Sequence, residues 1–135
     1  MKAYKHKVLY RECDMMRVVN NAVYVHWLED ARVDALAQLG LQYRGMEERG
    51  FAGPVLTMEL EYKSSARMDD EVEITVSFDK YTGARLYLSY EIKVGDRVAV
   101  TAKSSHCFIS LETGAPIFIK HYFPDWNDAL IKATK

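Results

Sequence analysis

One stretch of this chain limits what the rest can do. From Ala22 to Leu39 the apolar positions Tyr24, Trp27, Leu28, Ala31, Ala35, Leu36 and Leu39 recur at three and four, while Asp30, Arg32, Asp34 and Gln38 fall mostly elsewhere. Asn20 or Asn21 is a good N-cap and Gly40 a good stop, so the spacing predicts one helix of about four to five turns. Residues 42–49 add a short turn of helix ending at Gly50. Elsewhere the period is two. Tyr4, His6, Val8 and Tyr10 alternate with charged residues before the helix. After the turn FAGP come Leu56, Met58, Leu60 and Tyr62, then Val72, Ile74, Val76 and Phe78. Leu86, Leu88, Tyr90 and Ile92 follow, then Val98, Val100 and Ala102, running less cleanly to Ile109. The turns RMDD, TGA, VGDR and ETGAP are too short for crossover helices, so neighbouring strands are antiparallel. A single long helix must then bury its apolar face on one sheet of about five strands, which is an α+β fold.

The chain has 135 residues with no Pro/Gly/Ser-rich linker and no repeat, which predicts a single domain over 1–135. Its 18 basic and 19 acidic residues nearly cancel, so no broad field draws it to nucleic acid or anionic lipid. An anionic ligand has to be gripped locally. The N-terminus MKAYKHKVLY lacks the apolar run of a signal peptide, and no segment reaches the roughly 20 residues of a membrane span. A cytoplasmic protein is expected. Cys13 and Cys107 form no disulfide framework and are read as reduced thiols.

The chemistry concentrates in "CDMMRVVNNAVYVHWLEDARVDAL", residues 13 to 36. Asp14 lies in the loop before the helix, among Met15, Met16, Val18 and Val19, and a carboxylate in apolar company must be partnered or put to use. A helix N-terminus offers unpaired N–H groups that can hold the oxygen of a polarised carbonyl. A nearby carboxylate can attack that carbonyl or deprotonate a water beside it. The plainer alternative is an aspartate that only accepts backbone hydrogen bonds, next to an ordinary asparagine cap.

Tyr10, Asp14, Val18, Val19, Asn21 and Tyr24, followed by Trp27, Glu29, Ala31 and Arg32 of "YVHWLEDAR", resemble the signature of the hotdog-fold acyl-CoA thioesterases of the 4-hydroxybenzoyl-CoA thioesterase and YbgC type. "MELEYKSSARMDDEVEI" is similar to the family's second strand and turn, and the strand order matches to about residue 112. The resemblance implies a hotdog fold: a long helix wrapped by an antiparallel sheet of five or more strands. It also implies a homo-oligomer, a dimer or dimer of dimers, with sites between chains. Asp14 becomes the nucleophile or general base, the backbone N–H around Asn21 polarises the thioester carbonyl, and Tyr24 completes the catalytic set. The implied reaction is hydrolysis of an acyl-CoA thioester, with an acyl carrier protein as the alternative carrier. Coenzyme A enters as part of the substrate and no separate cofactor is implied.

Where several YbgC-type enzymes carry a histidine this chain has Asn21, and the HVNN pattern would put histidine at Val18. Neither histidine is present, which leaves an aspartate-plus-helix mechanism. A thioester suits it, because its carbonyl is electrophilic and its leaving group is a thiolate; the sequence offers no nucleophile elbow.

In "KYTGAR", Gly83 permits close backbone approach while Lys80 and Arg85 supply charge, so Lys80, Thr82, Gly83 and Arg85 are the candidate contacts for the anionic end of coenzyme A. The family likeness lays this hairpin along the pantetheine and nucleotide. His26, Glu29 and Asp30 share a helix face, but without a second cluster they suggest a solvated or interface surface and no metal site. Glu29 is the reserve catalytic carboxylate. His106 is read as a packed, hydrogen-bonded side chain. The competing function is a hotdog domain that binds an acyl thioester or another apolar ligand without chemistry.

Overall fold

A computed structural model describes all 135 residues. In chain order the elements are β1 (Tyr4–Lys7), α1 (Asn21–Gln38), α2 (Tyr43–Glu48), β2 (Phe51–Ala52), β3 (Val55–Tyr62), β4 (Glu71–Tyr81), β5 (Arg85–Val94), β6 (Arg97–Cys107), β7 (Ile109–Ser110) and α3 (Pro124–Ala133). Single 3₁₀ turns occupy Tyr10–Glu12 and Ile119–His121. Five strands form one sheet in the order β1-β4-β5-β6-β3, and β2 pairs antiparallel with β7. Tyr4 faces Ile74 and Lys7 faces Glu71, so β1 is antiparallel to β4. Backbone bonds from Lys63 to Ala99 and from Cys107 to Pro54 give β3 and β6 the same opposed sense. This is the α+β class that one long helix and several one-sided strands demand.

The chain divides into two compact units. The first comprises Met1–Ala35, Leu60–Val76 and Tyr90–Ala102. Here Trp27, Leu28, Ala31 and Ala35 are buried along one side of α1, as their spacing predicts, together with Val72, Ile74, Ile92 and Val100 from the strands. Arg32 departs from expectation. It is 6% exposed instead of lying on a polar face, and its Nη1 donates to the Tyr90 hydroxyl at 3.3 Å. A guanidinium out of water is held by such bonds. Tyr10 also departs: the first strand ends at Lys7, and Tyr10 starts the 3₁₀ turn with 81% of its surface exposed.

The second unit comprises Leu36–Glu59, Ser77–Ser89 and Lys103–Lys135. Its core gathers Leu36, Met46, Leu86, Leu88, Phe108 and Trp126. Two of its features were not expected from the sequence, the β2–β7 pair and helix α3. The latter has readable signals in retrospect: Pro124 at its first turn, Asp125 beside the helix N-terminus, and Trp126 and Leu130 buried one turn apart. Gly53 lies close under Tyr43 and Phe108, where a Cβ would stand 3.0 Å from the Tyr43 ring. His106 is buried and its Nε2 lies 2.7 Å from Ser104 Oγ, the packed role its place on β6 suggests.

Candidate active site

Asp14 stands at the closed end of a small hairpin. Asp14 N–H donates to Val18 O (2.9 Å), Asn20 N–H donates to Glu12 O (3.0 Å), and Cys13 and Val19 are bridge partners. The tip is closed by Arg17 N–H on Asp14 O (3.0 Å) and by Met16 N–H on the Asp14 carboxylate (2.8 Å), an Asx turn. Arg17 adopts φ 62°, a left-handed conformation usually reserved for glycine. The second arm is stitched further: Val19 N–H donates to Ala66 O (2.9 Å), and Val18 bridges Arg67.

The side chains at the tip are exposed. Asp14 is open to solvent, Met15 and Met16 are 101% and 77% exposed, and Leu9 and Tyr10 add to the same surface. Of the apolar company that makes an aspartate unusual in the sequence, Met15 and Met16 therefore lie outside the core of this chain, while Val19 is buried in it and Val18 is half-buried.

Helix α1 begins where the hairpin ends. Asn20 is the cap: its side-chain oxygen accepts from Ala22 N–H (2.9 Å) and its backbone oxygen from Val23 N–H (2.9 Å). The N–H of Asn21, first in the helix, lies outside that cap, as the helix geometry requires of its leading donors. Asp14 is two rungs up the hairpin from this point, about 7 Å at the usual rise of a strand. The carbonyl of Asn21 accepts from the Tyr62 hydroxyl at 3.0 Å.

Tyr24 is 2% exposed, and its hydroxyl accepts the N–H of Ala66 at 2.9 Å. Burial pushes its pKa above the usual phenol value, more than the Ala66 bond and the nearby Arg97 pull it down. Its position is that of a brace between α1 and the 66–67 segment. His26, Glu29 and Asp30 lie on the exposed side of α1.

The strongest polar cluster of this unit falls on a residue the sequence did not single out. Glu12 Oε1 accepts from Leu9 N–H (2.7 Å) and from His6 Nε2 (2.8 Å), and Oε2 accepts from the Trp27 indole N–H (2.7 Å). Burial alone would raise the Glu12 pKa, but the His6, Leu9 and Trp27 bonds outweigh it and hold the carboxyl below its ordinary range. No spacing rule links a glutamate to an indole fifteen residues on, so this cluster was not legible.

The four residues of the basic turn belong to the other unit. Thr82 closes the hairpin between β4 and β5: its N–H reaches Arg85 O (2.9 Å), and its hydroxyl accepts from Arg85 N–H (2.9 Å). Gly83 takes φ 91°, where a side chain is strained, and its carbonyl accepts from Ile119 N–H at 3.1 Å. Lys80 lies over the Tyr87 ring, 5.7 Å from its centroid, and Arg85 is exposed.

A sequence profile described as the thioesterase-like superfamily matches residues 8–131. YneP of Bacillus subtilis, an acyl-CoA thioesterase by name, is 31% identical over 130 residues, covering 96% of this chain and 94% of its own. The 1,4-dihydroxy-2-naphthoyl-CoA hydrolase of Thermosynechococcus vestitus is 26% identical over 129 residues, covering 93% and 88%. Among solved structures, the DHNA-CoA thioesterase of Staphylococcus aureus superposes with a TM-score of 0.93 at 32% identity, over 97% of this chain and 89% of that one. The fold is the hotdog arrangement these proteins share.

Proposed function

The chain belongs to the thioesterase-like superfamily and is a thioester hydrolase of the acyl-CoA kind, and from that premise we propose that Asp14 carries the reaction against a carbonyl held at the start of α1. The observation that supports this reading is the hairpin, which sets an exposed carboxylate two rungs from the leading N–H groups of a helix. The thioester oxygen takes a hydrogen bond from Asn21 N–H, which makes the carbonyl carbon electrophilic. Asp14 removes a proton from water as it adds to that carbon, the C–S bond breaks as the tetrahedral oxyanion collapses, and the departing thiolate takes the proton back. Direct attack by Asp14 gives the same products through a mixed anhydride that water then opens. Single turnover in ¹⁸O-water tests the second route, because label appears in Asp14 of the enzyme only when water opens an anhydride at the aspartyl carbon.

Asn21 contributes its backbone and Tyr24 acts from behind, bracing the helix start through Ala66. Lys80, Thr82, Gly83 and Arg85 receive the phosphates of coenzyme A, with Lys80 and Arg85 as exposed cations and Gly83 allowing close approach. A second copy of the chain completes the site. β3 is a sheet edge with Val55, Leu56 and Tyr62 exposed, and the Asp14 loop presents Tyr10, Met15 and Met16 to solvent. Covering both with another protomer gives a dimer, or a dimer of dimers, within one hotdog domain per chain. No helix is long and apolar enough to cross a membrane.

The test is thiol release from a panel of acyl-CoAs running from straight chains to fused-ring aromatics, the last because two relatives are named for a naphthoyl substrate. Acyl carrier protein thioesters form a parallel arm. Turnover by the wild type and its loss in Asp14→Asn support the proposal; tight acyl-CoA binding without thiol release in either would instead identify a binding domain.

A further inference from the structure

We infer that Glu12 is a positioning residue for Asp14, its carboxylate clamping the segment that leads into the aspartate loop to helix α1 by gathering donors from both. The inference rests on the reading of Asp14 given above, and it concerns how that carboxylate is aimed. Three donors converge on one side chain: the Leu9 N–H and His6 Nε2 on Oε1, and the Trp27 indole on Oε2. The first two precede the loop in sequence, while the third belongs to the second turn of α1. The carboxylate is 13% exposed and accepts only, so His6 must present its Nε2 as N–H.

The backbone of Glu12 makes the other half of the connection. Its carbonyl accepts from Asn20 N–H at 3.0 Å, the residue that caps α1, so Glu12 fixes both the hairpin and the helix start. Beyond this rung Asp14 itself bonds only within its hairpin, whose second arm is also held by Val19 N–H on Ala66 O (2.9 Å), by the Val18–Arg67 bridge and by Met68 N–H on Arg17 O (3.4 Å). Glu12 holds the first arm, the 66–68 segment holds the second, and the Met16 N–H sets the carboxylate at the tip, so the placement of Asp14 relative to Asn21 N–H depends on Glu12 for its first arm. The indole is itself constrained, stacked on His6 at 5.2 Å and edge-on to Tyr24 at 5.1 Å. The depressed acidity of Glu12 agrees with this geometry, since the three bonds favour the ionised form over the cost of burial.

A neutral amide cannot replace this acceptor. Glutamine has one oxygen and one NH₂, and whichever way it turns, its NH₂ meets a donor: the indole on one side, or Leu9 and His6 on the other. Glu12→Gln should lower kcat about tenfold with KM within about twofold, because a misaimed base loses rate and not affinity. Trp27→Phe removes the opposing donor. In that background Glu12→Gln should lower kcat by less than about threefold, and this non-additivity is what clamping predicts.

Folded fraction is measured on each variant by thermal unfolding. A fall in kcat that only matches lost folded protein, a KM that rises in step with it, or equal Glu12→Gln effects in both backgrounds would overturn the inference. If Glu12→Gln does not fold, Trp27→Phe alone decides: kcat about threefold down at unchanged KM supports the clamp, and wild-type kcat rejects it. Asp14→Asn keeps the two layers apart. An inactive Asp14→Asn beside a fully active Glu12→Gln removes only the clamp, whereas an active Asp14→Asn removes the proposed mechanism itself.

Discussion

The Asp14 loop and the Lys80–Arg85 turn are both short reversals carrying charge, yet they are held in opposite ways. The turn closes mainly on itself, with Thr82 bonded to both backbone groups of Arg85, its cations exposed and a single backbone bond from outside, Ile119 N–H on Gly83 O. The loop is anchored from outside: Glu12 ties it to Leu9, His6 and Trp27, and Val18 and Val19 tie it to Arg67 and Ala66. A self-contained turn can lose a side chain and keep its shape. An externally anchored loop cannot, and that is the behaviour wanted of a segment that must aim one carboxylate.

The largest effect should follow from the tip of the loop. Asp14→Asn is expected to lower kcat by at least about a hundredfold with KM little changed, the scale of losing a general base. Steady-state thiol release measures it, and near-normal turnover would shift the catalytic role to Glu29.

In the turn the effect should move to binding. Arg85→Ala is expected to raise KM about fivefold while sparing kcat, since one solvent-exposed phosphate contact contributes about 1 kcal/mol. A matched loss on a substrate truncated to the pantetheine thioester would show that Arg85 does not meet the nucleotide end.

The anchoring also makes the loop acid-sensitive. Glu12 has a folded pKa below its unfolded value near 4.5, so its contribution is present above that value and fades as pH falls through the folded pKa. Thermal unfolding of Glu12→Gln against wild type should show a stability gap at neutral pH that narrows below about pH 4.5. A gap constant down to pH 3 would contradict the clamp's charge. Smaller still, Thr82→Ala should lose about 1 kcal/mol of stability. Smallest of all, Asn21→Ala should change kcat less than about threefold, because the donor proposed there is main chain.

The strands and α1 were legible because their periods are long and undisturbed: Val72, Ile74, Leu86, Leu88 and Ile92 all point where alternation puts them. Asp14 was legible because apolar neighbours made it conspicuous. The tail was not, since α3 buries only Trp126 and Leu130, too few residues to establish a period. Arg32 looked like a polar-face residue because its partner Tyr90 lies on a distant strand, and tertiary partners leave no local mark. Glu12 was missed for the same reason. Its donors come from three places in the sequence, and only folding assembles them.

Arg17 gives the loop one more property, which concerns its motions. At φ 62° an arginine is strained by roughly 1 kcal/mol relative to glycine, but it also narrows the unfolded ensemble by a similar amount. Arg17→Gly should therefore leave global stability nearly unchanged. Local opening of the tip is subject to the same balance, because it releases the strain at residue 17 and frees the same backbone. Amide hydrogen exchange at Asp14 and Arg17, whose N–H groups close the hairpin, should therefore stay near its wild-type rate in Arg17→Gly, as should that of α1. The segment that carries the carboxylate thus owes its order to its hydrogen bonds and not to the residue type at its left-handed position.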